Sequence, residues 1–280
     1  MRIFSHYLKV KHILVIAGSD SSGGAGIQAD IKTITSLGGH ALTALTAVTA
    51  QNSLGVTGIH KIPAGFISKQ VKAVIEEVVP QAVKIGMLYS GAAVKEVAKL
   101  LKSHGLVNIV LDPVLRATTG KDLLEPKAMN LFREELLPLV SVVTPNLLEA
   151  GTLAGMKVGC SNDMAKAAEA IQAMGPDVII TGGHLKSKCT DLLYDGKAFH
   201  RFHGSRIDTQ HTHGSGCVFS TSLATFLAGG KDVVTATKMA HDFTRRAIIH
   251  GYACGRGPGP VNPGLTNERR TSNIEFPTSN

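Results

Sequence analysis

The sequence predicts an α/β fold: a mainly parallel central sheet with helices on both faces. Three observations point there. Short apolar runs alternate with longer segments of helical period, glycine-rich turns separate the two, and polar clusters repeatedly follow the ends of predicted strands. Residues 13–17 form the first strand; Ile27, Ile31, Ile34 and Leu37 then recur at helical spacing until Gly38-Gly39 stops them. Residues 42–62, rich in Thr and Val around Gln51-Asn52-Ser53, are extended. Strands at 82–85, 107–111 and 140–143 each precede a helix, over about 92–104, about 126–137 and from near Asn146. A helix at 165–174, a strand at 178–180 and a hairpin over 190–207 turning at Asp195-Gly196 follow. Beyond Cys217 the chain is helical over 218–227 and 232–250, interrupted at Gly229-Gly230.

A length of 280 residues with 44% apolar content supports one large domain over 12–263, preceded by an N-terminal extension (1–11) and followed by an aperiodic polar tail (264–280). The net charge of +8 favours anionic ligands. The basic residues are scattered and aromatics make up only 5%, which favours nucleotide phosphates over a nucleic-acid groove. Cys160, Cys189, Cys217 and Cys254 lie far apart with no CxxC pair, suggesting neither a zinc site nor a disulfide framework and fitting a reducing cytoplasm. The apolar run 13–17 is too short for a secretion signal, and no stretch approaches the roughly 20 apolar residues that span a bilayer.

Five clusters carry chemistry. Gly214-Ser215-Gly216 leads into Cys217 where a helix begins, and unpaired N–H groups with the helix dipole stabilise phosphate oxygens or a thiolate there. Cys217 is therefore either a base or a small buried apolar residue. Gly18-Ser19-Asp20-Ser21-Ser22-Gly23-Gly24-Ala25-Gly26 allows close backbone approach to a ligand, although it matches no dinucleotide fingerprint and no Walker motif. Asp20 and Asp30 suit hydrogen bonding to a polar ligand, with a solvated surface charge the alternative for Asp30. Asp112 stands at a strand end before Pro113. Asn146 and Glu149 have the spacing of a capping box, and the two strand-end acids Asp112 and Glu149 also suit Mg²⁺. Thr181-Gly182-Gly183-His184 follows another strand; Thr212 and His213 either bond phosphates or position the loop before Gly214.

These segments, together with Ala50-Gln51-Asn52, Lys84-Ile85-Gly86-Met87-Leu88, Thr144-Pro145-Asn146 and Gly257-Pro258-Gly259-Pro260-Val261-Asn262, resemble the hydroxymethylpyrimidine/phosphomethylpyrimidine kinases of thiamine biosynthesis, in order from about His12 to Pro263. The resemblance implies a ribokinase-like three-layer α/β/α sandwich, a homodimer, and Mg-ATP-dependent phosphorylation of 4-amino-5-hydroxymethyl-2-methylpyrimidine (HMP) and then of its monophosphate. It implies that Gly18, Asp20, Asp30, Gln51 and Met87 contact the pyrimidine, that Asp112 and Glu149 hold Mg²⁺, and that Asn146, Thr181 and Thr212 bind ATP. Cys217 is implied as the general base at the Gly214-Ser215-Gly216 turn, its thiol drawn toward neutrality by the helix N-terminus.

Two positions depart from the family pattern. Thr181 stands where a lysine is usual, leaving Lys186 or Arg116 as replacement cations near the ATP phosphates, and Arg116 itself occupies a usually apolar position. Pyridoxal kinase activity and a non-catalytic pyrimidine-binding module are the alternative functions. A cysteine hydrolase using Cys217 and His213 leaves the acids and phosphate-type loops unexplained.

Overall fold

The computed structural model describes residues 10–117, 120–183 and 189–266. Nine strands form one sheet in the order β3-β2-β1-β4-β5-β6-β7-β8-β9. They are β1 (His12–Asp20), β2 (His40–Asn52), β3 (Gly55–Lys61), β4 (Ala82–Ile85), β5 (Ile109–Leu111), β6 (Val142–Val143), β7 (Asp177–Ile180), β8 (Cys189–Tyr194) and β9 (Phe199–Gly204). The run from β2 to β7 is parallel, and β3, β8 and β9 join antiparallel at the edges.

Period-two alternation along β1 sorts the core. Leu14 and Ile16 face one layer with Val83, Ile85 and Leu111, packed by α2 (Ala64–Ile75), α3 (Gly91–His104), α5 (Leu147–Ala154) and α6 (Ser161–Gln172). Ile13, Val15 and Ala17 face the other layer, covered by α1 (Gly26–Ser36), α7 (Ser215–Ala228) and α8 (Val233–Ile249). The three-layer α/β/α sandwich follows because each crossover buries its apolar stripe against a sheet buried on both faces.

Three expectations change. β1 runs on through Gly18 and Ser19 to Asp20, so the first glycine-rich turn starts later than the apolar run suggests. The helix expected over 126–137 is a broken run: a 3-10 turn (Pro126–Ala128), one turn of α4 (Met129–Leu131), a π turn (Phe132–Leu136) and a second 3-10 turn (Leu137–Leu139). Pro126 and Pro138 lack an N–H and restrict the ladder at either end. Helix α2 was not anticipated, although Ile67 and Val71, four apart and fully buried, carry its stripe.

The chain is described to Thr266 in a final 3-10 turn (Pro263–Thr266), and the extension at 1–9 and the remainder of the tail lie outside the described residues. No described helix is long and apolar enough to cross a membrane.

Candidate active site

The carboxyl ends of the parallel strands gather most of the sequence-selected residues at one edge of the sheet, where open α/β sheets bind ligands. Asp20 ends β1, Asp112 follows β5, Asn146 follows β6 and Thr181 follows β7. Thr181 donates its N–H to the Pro145 carbonyl at 3.0 Å, which seats the two loops side by side.

Asp20 organises the first glycine-rich turn. Its Oδ1 accepts from the Ser22 N–H at 2.8 Å and the Ser22 hydroxyl at 2.7 Å. Its Oδ2 accepts from the Ala25 N–H at 2.8 Å and from His213 Nε2 at 2.9 Å. Burial alone would push this carboxyl up, but the hydrogen bonds from His213, Ser22 and Ala25 outweigh it and hold it at about 2. With only 3% of its surface exposed and both oxygens occupied, Asp20 shapes the turn, which corrects the expectation of direct ligand contact.

The second glycine-rich turn packs on the first. Gly214, the N-cap of α7, has φ +82°, and a Cβ there would overlap the Gly24 carbonyl oxygen. No side chain caps α7. Ser215 and Gly216 open its first turn, with Gly216 and the preceding Thr212 exposed. The Ser215 N–H is spent on the Thr212 carbonyl at 3.1 Å, so the anion-facing donors are fewer than the motif suggests.

Cys217, in that first turn, hydrogen-bonds Asp112 and receives the Gly26 N–H. Enclosure pushes its thiol up to about 12; the Lys84 ammonium opposes this, and the Asp112 and Asp30 carboxylates add to it. The expectation of a thiol near neutrality is therefore wrong for the ligand-free chain: two acids and desolvation outweigh the helix terminus and Lys84.

Beneath α7 lies a buried polar network. Lys84, on β4 and 0% exposed, donates to both Asp30 oxygens at 3.0 Å and stands 3.9 Å from Asp112 Oδ2. Burial would lower the Lys84 pKa, but Asp30, Cys217 and Asp112 keep it raised and the side chain charged. Burial pushes both aspartates up, and Lys84 opposes it in each. Thr221 donates to Asp30 Oδ1 at 2.6 Å and Ser220 to Asp112 Oδ2 at 3.0 Å. Asp30 is thus not a surface charge; its carboxylate is enclosed by Lys84 and Thr221. Lys84, Ser220 and Thr221 were missed as functional candidates, although a lysine between Val83 and Ile85 in an apolar strand is a readable signal of a buried ion pair.

Asn146 and Glu149 form the capping box of α5. The Asn146 side chain accepts from the N–H groups of Leu148 and Glu149, and Glu149 Oε2 accepts from the Asn146 N–H at 2.9 Å. Glu149 also senses Asp112: burial first, then that carboxylate, push it up to about 8. Two crowded carboxylates suit a hard divalent cation that keeps waters and phosphate ligands, so Mg²⁺ fits the donor set. Among the described residues no three His, Cys, Asp or Glu side chains converge into a ready metal cage.

On the other flank, a Cβ at Gly18 would sit 2.9 Å from Met87 Sδ, so the two pack closely. Met87, Ala47 and Leu123 form a small apolar wall. Gln51, near the end of β2, is half-buried with its carboxamide 3.2 Å from the Thr49 hydroxyl. Arg116 is exposed and paired with Asp122 at 2.9 Å, so its cation is already engaged. His184 and Lys186 lie outside the described residues.

A model of the family described as Phosphomethylpyrimidine kinase matches residues 20–262. The chain belongs to that family. It is 42% identical over 258 residues to the hydroxymethylpyrimidine/phosphomethylpyrimidine kinase of Bacillus subtilis, covering 91% of this chain and 95% of the relative. It is also 42% identical to the thiamine biosynthesis bifunctional protein ThiED of Geobacter sulfurreducens, of whose length it spans 53%. Among solved structures, an ADP complex of Bacillus subtilis pyridoxal kinase superposes with TM-score 0.84 at 37% identity, over 91% of this chain and 97% of that one. The phosphomethylpyrimidine kinase of Clostridium difficile 630 gives TM-score 0.76 at 36% identity, over 85% and 99%. Membership in this kinase family gives the strand-end acids and the two apposed glycine-rich turns a common context, and the ribokinase-like fold accords with the observed sandwich.

Proposed function

We propose that the chain transfers the γ-phosphoryl of ATP to the hydroxymethyl group of HMP and then to the phosphate of the product, a reading supported by relatives named hydroxymethylpyrimidine/phosphomethylpyrimidine kinase. The observation that carries the reading is the convergence of Cys217, the uncapped start of α7, Asp112 and Glu149 at one edge of the sheet, within a family model matching residues 20–262. Gly18, Gln51 and Met87 bind the ring in this reading, with Gln51 supplying the polar contact and Met87 the apolar wall. Asn146, Thr181 and Thr212 flank the nucleotide, and the first turn of α7, with Gly214, Ser215 and Gly216, receives the charge of the transferring group.

Asp112 and Glu149 would hold Mg²⁺, which when bound supplies charge neutralisation of the phosphates. Cys217 Sγ faces the attacking hydroxyl and takes its proton only as the thiolate, so the thiol, pushed up to about 12 by its enclosure, first gives its own proton to solvent. Phosphoryl transfer through a loose transition state asks little of a base, so holding that oxygen in line is the larger part of its task. The proposed assembly is a homodimer and the proposed compartment the cytoplasm, both resting on the family resemblance.

A second reading, pyridoxal phosphorylation, is favoured by the likeness to the Bacillus subtilis pyridoxal kinase. Steady-state ADP release with HMP, HMP phosphate and pyridoxal as separate acceptors tests both. The proposal expects kcat/KM for HMP to exceed that for pyridoxal; the reverse order transfers the assignment to the second reading, and no ADP release with any acceptor rejects both.

A further inference from the structure

We infer that the Thr49 hydroxyl makes this site selective for a ring bearing an exocyclic amine, by fixing which face of the Gln51 carboxamide meets the ligand. The inference rests on the reading of Gln51 as a ring contact and adds what determines its chemistry. Three observations lock Gln51 in place. The β2–β3 register slips between Ala50 and Gln51, where Ala50 pairs with Gly58 and Gln51 with Val56, and such bulges re-aim side chains beside sites. The Ser21 hydroxyl grips the Gln51 backbone from both sides, accepting its N–H and donating to its carbonyl, each at 2.8 Å. Thr49, which is 5% exposed, then holds the side chain.

Proton counting sets the amide orientation. Thr49 Oγ1 lies 2.9 Å from the Ser19 carbonyl oxygen and 3.2 Å from the Gln51 amide. A hydroxyl has one proton, and a carbonyl has none to give, so the proton goes to Ser19 and a hydroxyl lone pair faces Gln51. An amide oxygen against that lone pair is repelled. The carboxamide therefore turns its N–H₂ toward Thr49 and leaves Oε1 outward, an assignment that hydrogen bonding decides because the two amide atoms are nearly alike in shape. No other described group bonds the Gln51 amide. An outward acceptor matches the N–H donors of a 4-amino group and opposes ring substituents that are themselves acceptors. Thr49 acts through Gln51 and is a positioning residue.

The test is a cycle of two proteins and two ligands. Calorimetric binding of HMP and of its analogue lacking the 4-amino group is measured for wild type and Thr49→Val, an isostere suited to a strand. Losing one fixed hydrogen bond is expected to weaken HMP about tenfold in the variant while the des-amino analogue changes less than about twofold, with Thr49→Ser restoring HMP binding. Equal losses for both ligands, or none for either, overturn the inference while leaving the kinase reading intact. A wild-type protein that binds neither ring overturns the inference, whereas the fate of the kinase reading is decided separately by turnover.

Discussion

His213 Nε2 lies 2.9 Å from Asp20 Oδ2, joining two glycine-rich turns 193 residues apart. Because a carboxylate only accepts, the imidazole donates, and the same aspartate also receives the Ser22 and Ala25 N–H groups. One buried side chain thereby fixes the turn after β1 and sets it against the N-terminus of α7, the proposed seat of the transferring phosphoryl.

Asp20→Asn keeps the shape but removes an acceptor oxygen. A carboxyl held at about 2 in the folded chain against its ordinary 3.8 contributes about 2 kcal/mol of stability. Because the folded value is the lower one, that contribution is fully present above about pH 4 and is lost as pH falls toward 2. Denaturant melts of wild type and Asp20→Asn are expected to differ by about that amount at pH 7, to draw together below about pH 4 and to converge only as pH falls through about 2. A constant difference across the range would show that the charge is not what holds the turns.

Gly214→Ala adds a Cβ into the Gly24 carbonyl at a residue with φ +82°. Backbone strain of about 1–3 kcal/mol and separation of the two turns are expected. Turnover should fall further than the melting temperature alone explains, because the start of α7 moves; activity equal to wild type would place the phosphoryl elsewhere.

Lys84→Met leaves Asp30 and Asp112 without the cation between them. Destabilisation of about 3–5 kcal/mol is expected, as for other broken buried pairs. The double variant Lys84→Met/Asp30→Asn should recover a substantial part of it. Chemical denaturation measures both, and a double variant no more stable than the single one would mean that Lys84 acts through packing.

Much of this architecture is legible in the sequence. Alternating apolar runs gave the strands, and Asp112, Asn146 and Thr181 could be placed at strand ends because a parallel sheet puts its loops there. What the sequence hid was direction and depth. Asp30 sits one helical turn beyond the glycines, but only the packing of α1 on β1 and α7 reveals that it turns inward, where the Lys84 side chain reaches it from β4. The ionisation of Cys217 depends on three charged groups from β4, α1 and the loop after β5, none of them near it in sequence. The π turn at Phe132–Leu136 lacks a periodic signal distinct from that of an α-helix.

Cys217 offers a direct contrast with the exposed Cys160 and Cys254. A thiol pushed up to about 12 is scarcely a thiolate at pH 8. Peptide-resolved mass spectrometry after limited iodoacetamide treatment should find Cys160 and Cys254 alkylated well before Cys217. Preferential labelling of Cys217 would mean that the α7 N-terminus and Lys84 outweigh Asp112 and desolvation.

The most direct test of the account is mass-spectrometric product analysis of the wild-type chain and Cys217→Ala, each with Mg-ATP and HMP. The account predicts HMP phosphate followed by HMP diphosphate from wild type, and a loss of about 10²-fold or more in the variant. Undiminished product formation by Cys217→Ala, or no phosphorylated pyrimidine from wild type, would contradict it.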